Sequence, residues 1–210
     1  YLGTEASTEA VEVEIKKIVN QANVTVSQEA DIETKVAELL SQNKIVAVCR
    51  GRSEWGARAL GHRSILANPQ HTENIKIINE QIKNRDFWMP FAASVLKERA
   101  HDYLKNPKEV SAPYMVMSFP TTDRAALEIK AALHPYDLTC RPQIVDPDFA
   151  PDYYRILKHF EKLTGIGGVL NTSFNLHGEP LVETAEDAVR TFLNSGLEYL
   201  ALENYLITKK

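Results

Sequence analysis

Four arginines and three glycines share the run RGRSEWGARALGHRSILAN, from Arg50 to Asn68, a mixture suited to holding an anion. Arg50, Arg52, Arg58 and Arg63 each carry a planar fork that grips phosphate or carboxylate oxygens in pairs. Gly51, Gly56 and Gly61 lack the Cβ that keeps backbone N–H groups away from the same oxygens. The bland alternative is a surface loop of solvated arginines. It fits less well because Trp55, Leu60, Ile65 and Leu66 are interleaved with the cations and draw them inward, where a guanidinium needs an anionic partner. Glu54 is the run's only acidic side chain, so other partners come from elsewhere in the fold or from a ligand. The run is neither a Walker A loop nor a Rossmann fingerprint, since both GK[ST] and GxGxxG are missing.

Three further places offer compatible chemistry. Lys83 and Arg85 alternate, so on an extended backbone both point to one side and can share a phosphate. Phe87, Trp88, Met89, Pro90 and Phe91 follow them as an aromatic patch whose ordinary reading is core packing. Asn171, Thr172, Ser173 and Asn175 come directly after a short apolar strand, where open α/β sheets bind ligands, and Arg141 adds a fourth ligand-facing place to the arginine run, the Lys83/Arg85 pair and this loop. Together these groups can neutralise a triphosphate or a phosphoryl mixed anhydride, while amides and hydroxyls read a ribose, a base edge or a carbonyl. Positioning and charge stabilisation are enough for such catalysis, with Mg²⁺ as the usual helper and no nucleophilic side chain. The six histidines show neither HExxH nor HxxxH spacing, so no metal site is expected. His62 lies between arginines that disfavour its charged form; it either hydrogen-bonds a ligand while neutral or fills the loop.

These residues must be held by a chain of 210 residues with 44% hydrophobic and 25% charged content, ordinary for a soluble globular protein. A net charge of −4 argues against a general hold on nucleic acid or anionic membrane, although a local basic cleft can sit in an acidic protein. Cys49 and Cys140 lie in no CxxC or Cys/His spacing, which excludes a disulfide framework. No apolar stretch approaches the roughly 18 residues that span a bilayer, and no secretory signal opens the chain. Cytoplasmic residence is therefore expected, and a start at Tyr1 rather than Met reads as a piece of a longer or processed protein.

Periodicity places the elements. Helices are expected at Glu9 to Asn23 (capped by Ser7 or Thr8), at Glu29 to Gln42 (capped by Ser27 after a break at Val24 to Ser27) and at Thr72 to Gln81 (capped by Thr72). Two more are expected, Tyr153 to Thr164, closed by Gly165, and Glu183 to Leu193, capped by Thr184. Strands are expected at Lys44 to Cys49, Ala92 to Leu96, Tyr114 to Phe119, Thr139 to Val145, Gly167 to Leu170 and Tyr199 to Thr208. Lys97 to Leu104 reads as a helical turn or two, and Asp123 to Ala132 as helical or irregular. Both kinds of element alternate, which describes one α/β domain with a mixed sheet.

The segments GRSEWGARALGHRSILAN, KNRDFWMPFAASVL and LNTSFNLHGEPLV closely resemble the C-terminal domain of the carbamoyltransferase family that includes nodulation and antibiotic-tailoring O-carbamoyltransferases, the NodU/CmcH type. The match runs in order through nearly the whole chain. The resemblance implies a YrdC/Sua5-like fold, a twisted mixed β-sheet flanked by helices, with residues 1–43 as a leading helical segment and 44–210 as the YrdC-like core. Lys83-x-Arg85 is similar to that fold's KxR and Ser173-x-Asn175 to its SxN.

By the same resemblance, this domain binds ATP and carbamoyl phosphate and makes carbamoyl adenylate. An N-terminal Kae1-like metal domain, absent from this chain, passes the carbamoyl group to an acceptor hydroxyl. The fragment is then competent at most for the adenylation half-reaction, and it does not bind the missing domain's metal. Lys83, Arg58 and Arg141 are the catalytic candidates it implies; Arg52, Arg63, Arg85, Asn171, Ser173 and Asn175 are the substrate- and nucleotide-binding ones. Ala57, His62 and Leu138 stand where the family usually has Pro, Asn and Gly, and a glycine at the last position can use a positive φ. A non-catalytic nucleotide- or RNA-binding module of the same fold, or a structural lid on the missing domain, are the competing readings.

Overall fold

The computed structural model describes residues 1–21, 23–83 and 89–210. Its centre is an eight-stranded sheet: β1 (Val24–Gln28), β2 (Val46–Cys49), β3 (Arg63–Ala67), β4 (Ala92–Leu96), β5 (Gln143–Val145), β6 (Gly168–Ser173), β7 (Tyr199–Leu202) and β8 (Tyr205–Lys209), in the order β1-β8-β7-β2-β3-β6-β4-β5. β2 runs parallel to β7 and β4 to β5, and the other neighbours are antiparallel. The mixed α/β sheet expected from the sequence is thus present. β2, β3 and β4 are buried at every residue, which explains why their apolar residues show no alternation: a strand covered on both faces has no solvent side to mark.

Helices α1 (Thr8–Gln21), α2 (Ile32–Ser41), α6 (Pro151–Thr164) and α7 (Ala185–Leu193) supply most of the cover. α2 packs on α6 and α1 on α7. On α6, Tyr153, Ile156, Leu157 and Phe160 are buried at helical spacing, and Gly165 ends the helix in the left-handed conformation at φ 79°. Thr184 starts α7 with a reciprocal capping box to Asp187, worth about 1 kcal/mol. Short helical pieces fill the connections: α3 (Glu73–Ile77) continues into a π-helical turn at Ile78–Lys83, α4 (Ala100–Tyr103) follows a 3₁₀ turn, and α5 (Asp123–Glu128) precedes another.

Several boundaries differ from those expected. Val24–Gln28 is an edge strand on β8 rather than a break, so the first 43 residues are not purely helical. Asp31 caps α2 in place of Ser27, its carboxylate accepting from the Thr34 amide at 3.0 Å. Thr72 offers α3 no side-chain cap. The single strand expected at Tyr199 to Thr208 is the hairpin β7–β8, since Glu203 takes a positive φ of 50° and turns the chain. Tyr114 to Phe119 forms no strand; only Phe119 pairs, with Cys140, in an isolated bridge. Thr139 to Val145 shortens to β5, leaving Arg141 just before it, whereas β6 extends three residues further than expected, through Ser173. The helix expected to reach Asn23 ends at Gln21, and Ala22 lies outside the described residues.

Glu33 ties these layers together. Its buried carboxylate pairs with Arg50 at 3.1 Å and with Arg155 of α6 at 2.6 Å. Burial disfavours its charged form, but Arg50 and Arg155 outweigh that and hold its pKa below the ordinary carboxylate value. A depressed folded pKa contributes stability above the unfolded value of about 4.3, and the contribution is lost as pH falls through the folded pKa. Urea denaturation should therefore find Glu33→Gln less stable than wild type by about 1–3 kcal/mol at pH 7, with the gap closing below about pH 4. A gap that stayed constant with pH would contradict this.

Candidate functional site: a cation-lined cleft at the end of the sheet

The Arg50–Asn68 run folds around two buried, oppositely charged side chains. Arg63 at the start of β3 has no solvent exposure. Its Nε donates to the Glu183 carbonyl, its Nη1 to those of Arg50 and His62, and its Nη2 to those of Thr4 and Gly51, at 2.7–3.2 Å. All five N–H groups are thus taken by backbone. Glu54 does the reverse, one carboxylate oxygen accepting from the amides of Leu60, His62 and Arg63 at 2.7, 2.8 and 3.1 Å. Gly61 is required between them: its φ is 114°, and a Cβ there would lie 2.4 Å from the Tyr153 ring.

The chain's first residues strap this loop from outside. Gly3 and Ala6 donate to the carbonyls of Ser53 and Gly51, and Ser53 donates to that of Thr4. The Thr4 hydroxyl donates to Glu183. The Tyr1 hydroxyl donates to the Leu60 carbonyl at 2.9 Å, and its ring stacks on His62 at 3.7 Å. His62 therefore fills the loop. Burial, with Arg63 adding to it, lowers its pKa, and its Nδ1 donates to the Arg52 carbonyl at 2.7 Å.

The platform presents Arg58 to a small cleft. The cleft, of about 100 Å³, lies at the C-terminal end of β6 and is lined by Ala57, Arg58, Ala59, Pro90, Phe91, Ala92, Met115, Arg141, Asn171, Thr172 and Ser173. No ion pair joins Arg58 or Arg141 to a carboxylate among the described residues. The Arg141 Nε is buried without a hydrogen-bond partner, and burial, then the nearby Arg58, push its pKa below the usual arginine value. Two guanidinium groups facing one cleft without a protein anion form a site for an anionic ligand.

Lys83 joins the same end of β6. The π turn that carries it buries it to 4% exposure, and its Nζ donates to Ser173 Oγ at 2.9 Å and Asn175 Oδ1 at 2.7 Å. Ser173 Oγ donates in turn to the same Asn175 oxygen, and Asn175 Nδ2 donates to the Glu179 carbonyl at 2.8 Å, fixing which way that amide faces. A π turn, uncommon in helices and frequent at functional sites, replaces the extended backbone expected at Lys83. Arg85, with Phe87 and Trp88, lies outside the described residues.

Arg58, Lys83, Arg141, Asn171, Ser173 and Asn175 thus converge. Two expected members do not. Arg63 is consumed by backbone carbonyls and has no donor left for a ligand. Arg52 lies at the surface, paired loosely with Glu5 at 4.0 Å and donating to the Leu2 carbonyl, because the entering strap occupies that side of the loop. Sequence reasoning passed over Ser94, Gln143 and Tyr153, which form the floor: Asn171 Nδ2 donates to Ser94 Oγ at 3.0 Å and to the Ala59 carbonyl at 3.2 Å, Ser94 Oγ donates to Gln143 Oε1 at 2.8 Å, and Gln143 Nε2 donates to the Leu60 carbonyl at 2.9 Å. The available signal was a polar residue inside an otherwise apolar strand, as Ser94 is in AASVL. A larger cavity of about 490 Å³ lies between α4, the loop of residues 106–113 and Asp146. It contains no comparable pair of unpartnered cations, since its Lys97 is bound to Asp146 at 2.5 Å.

A mixed sheet with a cation-lined cleft at its strand ends defines an α/β domain with a candidate anion site. Residues 37–209 match the family model described as Carbamoyltransferase C-terminus, and the chain belongs to that family. It is 39% identical across its full length to a protein of Methanocaldococcus jannaschii, covering 40% of it. It is 36% identical to the nodulation protein NolNO of Sinorhizobium fredii over 97% of the chain and 30% of that protein, and 34% identical to NolO of Bradyrhizobium diazoefficiens over the whole chain and 38% of the relative. The chain thus spans well under half of these curated relatives.

Among solved structures, full-length HypF in its phosphate- and nucleotide-bound form aligns with a TM-score of 0.57 at 17% identity, over 89% of this chain and 22% of that one. P. abyssi Sua5 complexed with L-threonine aligns at 0.60 and 15% identity, over 82% and 46%. The YrdC/Sua5-like fold is confirmed. No described helix is long and apolar enough to cross a membrane.

Two substitutions test the platform. Arg63→Lys keeps the charge but offers three donors for five carbonyls, and chemical denaturation should show a loss of at least about 2 kcal/mol; a loss within about 0.5 kcal/mol would deny the guanidinium its structural role. Leu138 stands before Arg141 with φ 56° and an exposed side chain, a conformation that costs a non-glycine residue about 1–2 kcal/mol. Leu138→Gly should raise stability by about 0.5–1 kcal/mol after the added chain entropy is counted, and a thermal melt shifted downward would refute it.

Proposed function

We propose that this domain makes a carbamoyl adenylate from ATP and carbamoyl phosphate. The observation that carries the reading is the pair Arg58 and Arg141 facing one small cleft with no protein carboxylate, beside a lysine held at the end of β6. Membership of the carbamoyltransferase family and the fold shared with HypF and Sua5 support it. Atom balance requires water to accept the phosphoryl group of carbamoyl phosphate, releasing phosphate and carbamate. A carbamate oxygen then attacks the α-phosphorus of ATP, and pyrophosphate leaves.

The chain's own contribution is electrostatic. Arg58 and Arg141 hold the phosphate oxygens of the incoming anhydride, and Lys83, steadied by Ser173 and Asn175, faces the α-phosphate and stabilises charge as the phosphorus becomes five-coordinate. No residue need act as nucleophile. Mg²⁺ bound to the incoming triphosphate would supply further neutralisation of its charge. The activated carbamoyl group would then pass to an acceptor hydroxyl in a further domain of the kind that fills the remaining length of the relatives, in the cytoplasm, where ATP is available.

Calorimetric titration with ATP tests this reading. Lys83→Ala, checked for folding by thermal melting, should bind roughly 10- to 100-fold more weakly than wild type, as expected when one charge-assisted contact of about 1.5–3 kcal/mol is lost. Unchanged ATP affinity would overturn the proposal. An RNA-binding module would instead show RNA affinity that falls steeply with salt and little preference among nucleotides.

A further inference from the structure

Met115 narrows the cation-lined cleft. At about 100 Å³ the cleft has a third of the volume of the smallest ordinary small-molecule pockets, roughly 300 Å³. Met115 is 4% exposed and lines it, packed with Leu60 of the arginine loop and Ala92 of β4. Its backbone has φ 53°, a left-handed conformation uncommon for any residue but glycine. The chain is thus strained at the point where it puts this side chain into the cleft.

The loop around Met115 is fixed at its two ends. The Ala112 carbonyl accepts from the Ile144 amide of β5 at 2.8 Å, and Phe119 pairs with Cys140 at 2.8 and 2.9 Å. Residues 113–118 between these anchors belong to no strand or helix. Tyr114, Val116 and Met117 flank the buried Met115 and are exposed, Val116 to 77%. Tyr114 meets the half-exposed Phe149 edge-on, with ring centroids 5.8 Å apart. Behind the first half of the loop lies the cavity of about 490 Å³, whose wall includes Val110, Ser111 and Pro113. The segment therefore has anchors to pivot on, few contacts to break and open room behind it.

Building on the ATP reading above, we infer that residues 113–118 form a lid on the cleft, with Met115 as its plug. In the free protein Met115 fills the gap between Leu60 and Ala92. Entry of a triphosphate withdraws it, widening the cleft beside Arg58 and Arg141 and releasing the left-handed strain. A closed lid lowers the apparent affinity for nucleotide in proportion to the fraction of molecules that stand open. Removing the plug therefore strengthens binding, the opposite of losing a contact to the ligand.

Peroxide oxidation followed by peptide mass spectrometry reads the lid in the wild-type chain, with ATP binding measured by calorimetry in parallel. Relative to the exposed Met117, Met115 should oxidise at least about 3-fold faster once ATP is saturating, the factor expected if the lid is closed about two-thirds of the time without ligand. By the same factor, Met115→Ala should bind ATP at least about 3-fold more tightly than wild type. ATP that binds while Met115 oxidation stays the same or slows overturns the lid and leaves the nucleotide reading standing. Equal or weaker ATP affinity in a folded Met115→Ala also overturns it. Absence of ATP binding by the wild type overturns both. The oxidation measurement uses the wild type alone, so a failure of Met115→Ala to fold leaves the test intact.

Discussion

A loop without regular hydrogen bonds can hold its cations in register only if its backbone groups are satisfied by something rigid. Here that requirement is met by one buried cation and one buried anion, nine residues apart in the chain and opposite in role. Arg63 collects five carbonyls and Glu54 three amides, so the run from Arg50 to His62 is stapled from within by groups far stronger than neutral side chains. Everything exposed by that loop, Arg58 above all, takes its place from these two residues. The cost of burying each charge is offset by these dipoles, which take every donor of Arg63 and converge on one oxygen of Glu54, while its Oε2 is buried without a hydrogen-bond partner.

The same logic extends outward from the loop. Leu60 O is shared by Tyr1 of the entering strap and by Gln143 of the sheet, and Gln143 is linked through Ser94 to Asn171 in the cleft floor. The platform and the floor are therefore one hydrogen-bonded body, spanning the first residue of the chain, the arginine loop and β4, β5 and β6. Glu33 adds the helical layer to it through Arg50 and Arg155. A cleft assembled from residues so distant in sequence can be stiff only through connections of this kind.

Much of the fold could be read from the chain because its signals are local. The helical spacing of α6, its closure at Gly165 and the Thr184 cap of α7 each depend on residues within a turn of one another, and each emerged as expected. The apolar runs at β2 and β4 were likewise legible. What escaped was set by partners far away. Val24–Gln28 is a strand only because β8 offers it an edge, and YMVMSF, which has the composition of a strand, finds no neighbour to pair with except at Phe119. In the site, the residue types singled out Arg58, Arg141, Lys83 and Ser173, which the fold brings to the same end of β6. They could not separate Arg58 from Arg63, which share a loop and a chemistry but differ in whether five carbonyls lie within reach.

The π turn at Ile78–Lys83 makes the position of Lys83 unusually dependent on chain length. A π turn holds one more residue than the α turn it replaces, and each residue advances an ordinary helix by about 100° around its axis. Removing a single residue from this stretch would let the helix relax to α geometry and carry the ammonium group a quarter-turn or more away from Ser173 and Asn175. Adding one would do the same in the opposite sense. The stretch should therefore accept changes of side chain far more readily than changes of length, because here the count of residues, rather than their identity, sets where the charge arrives.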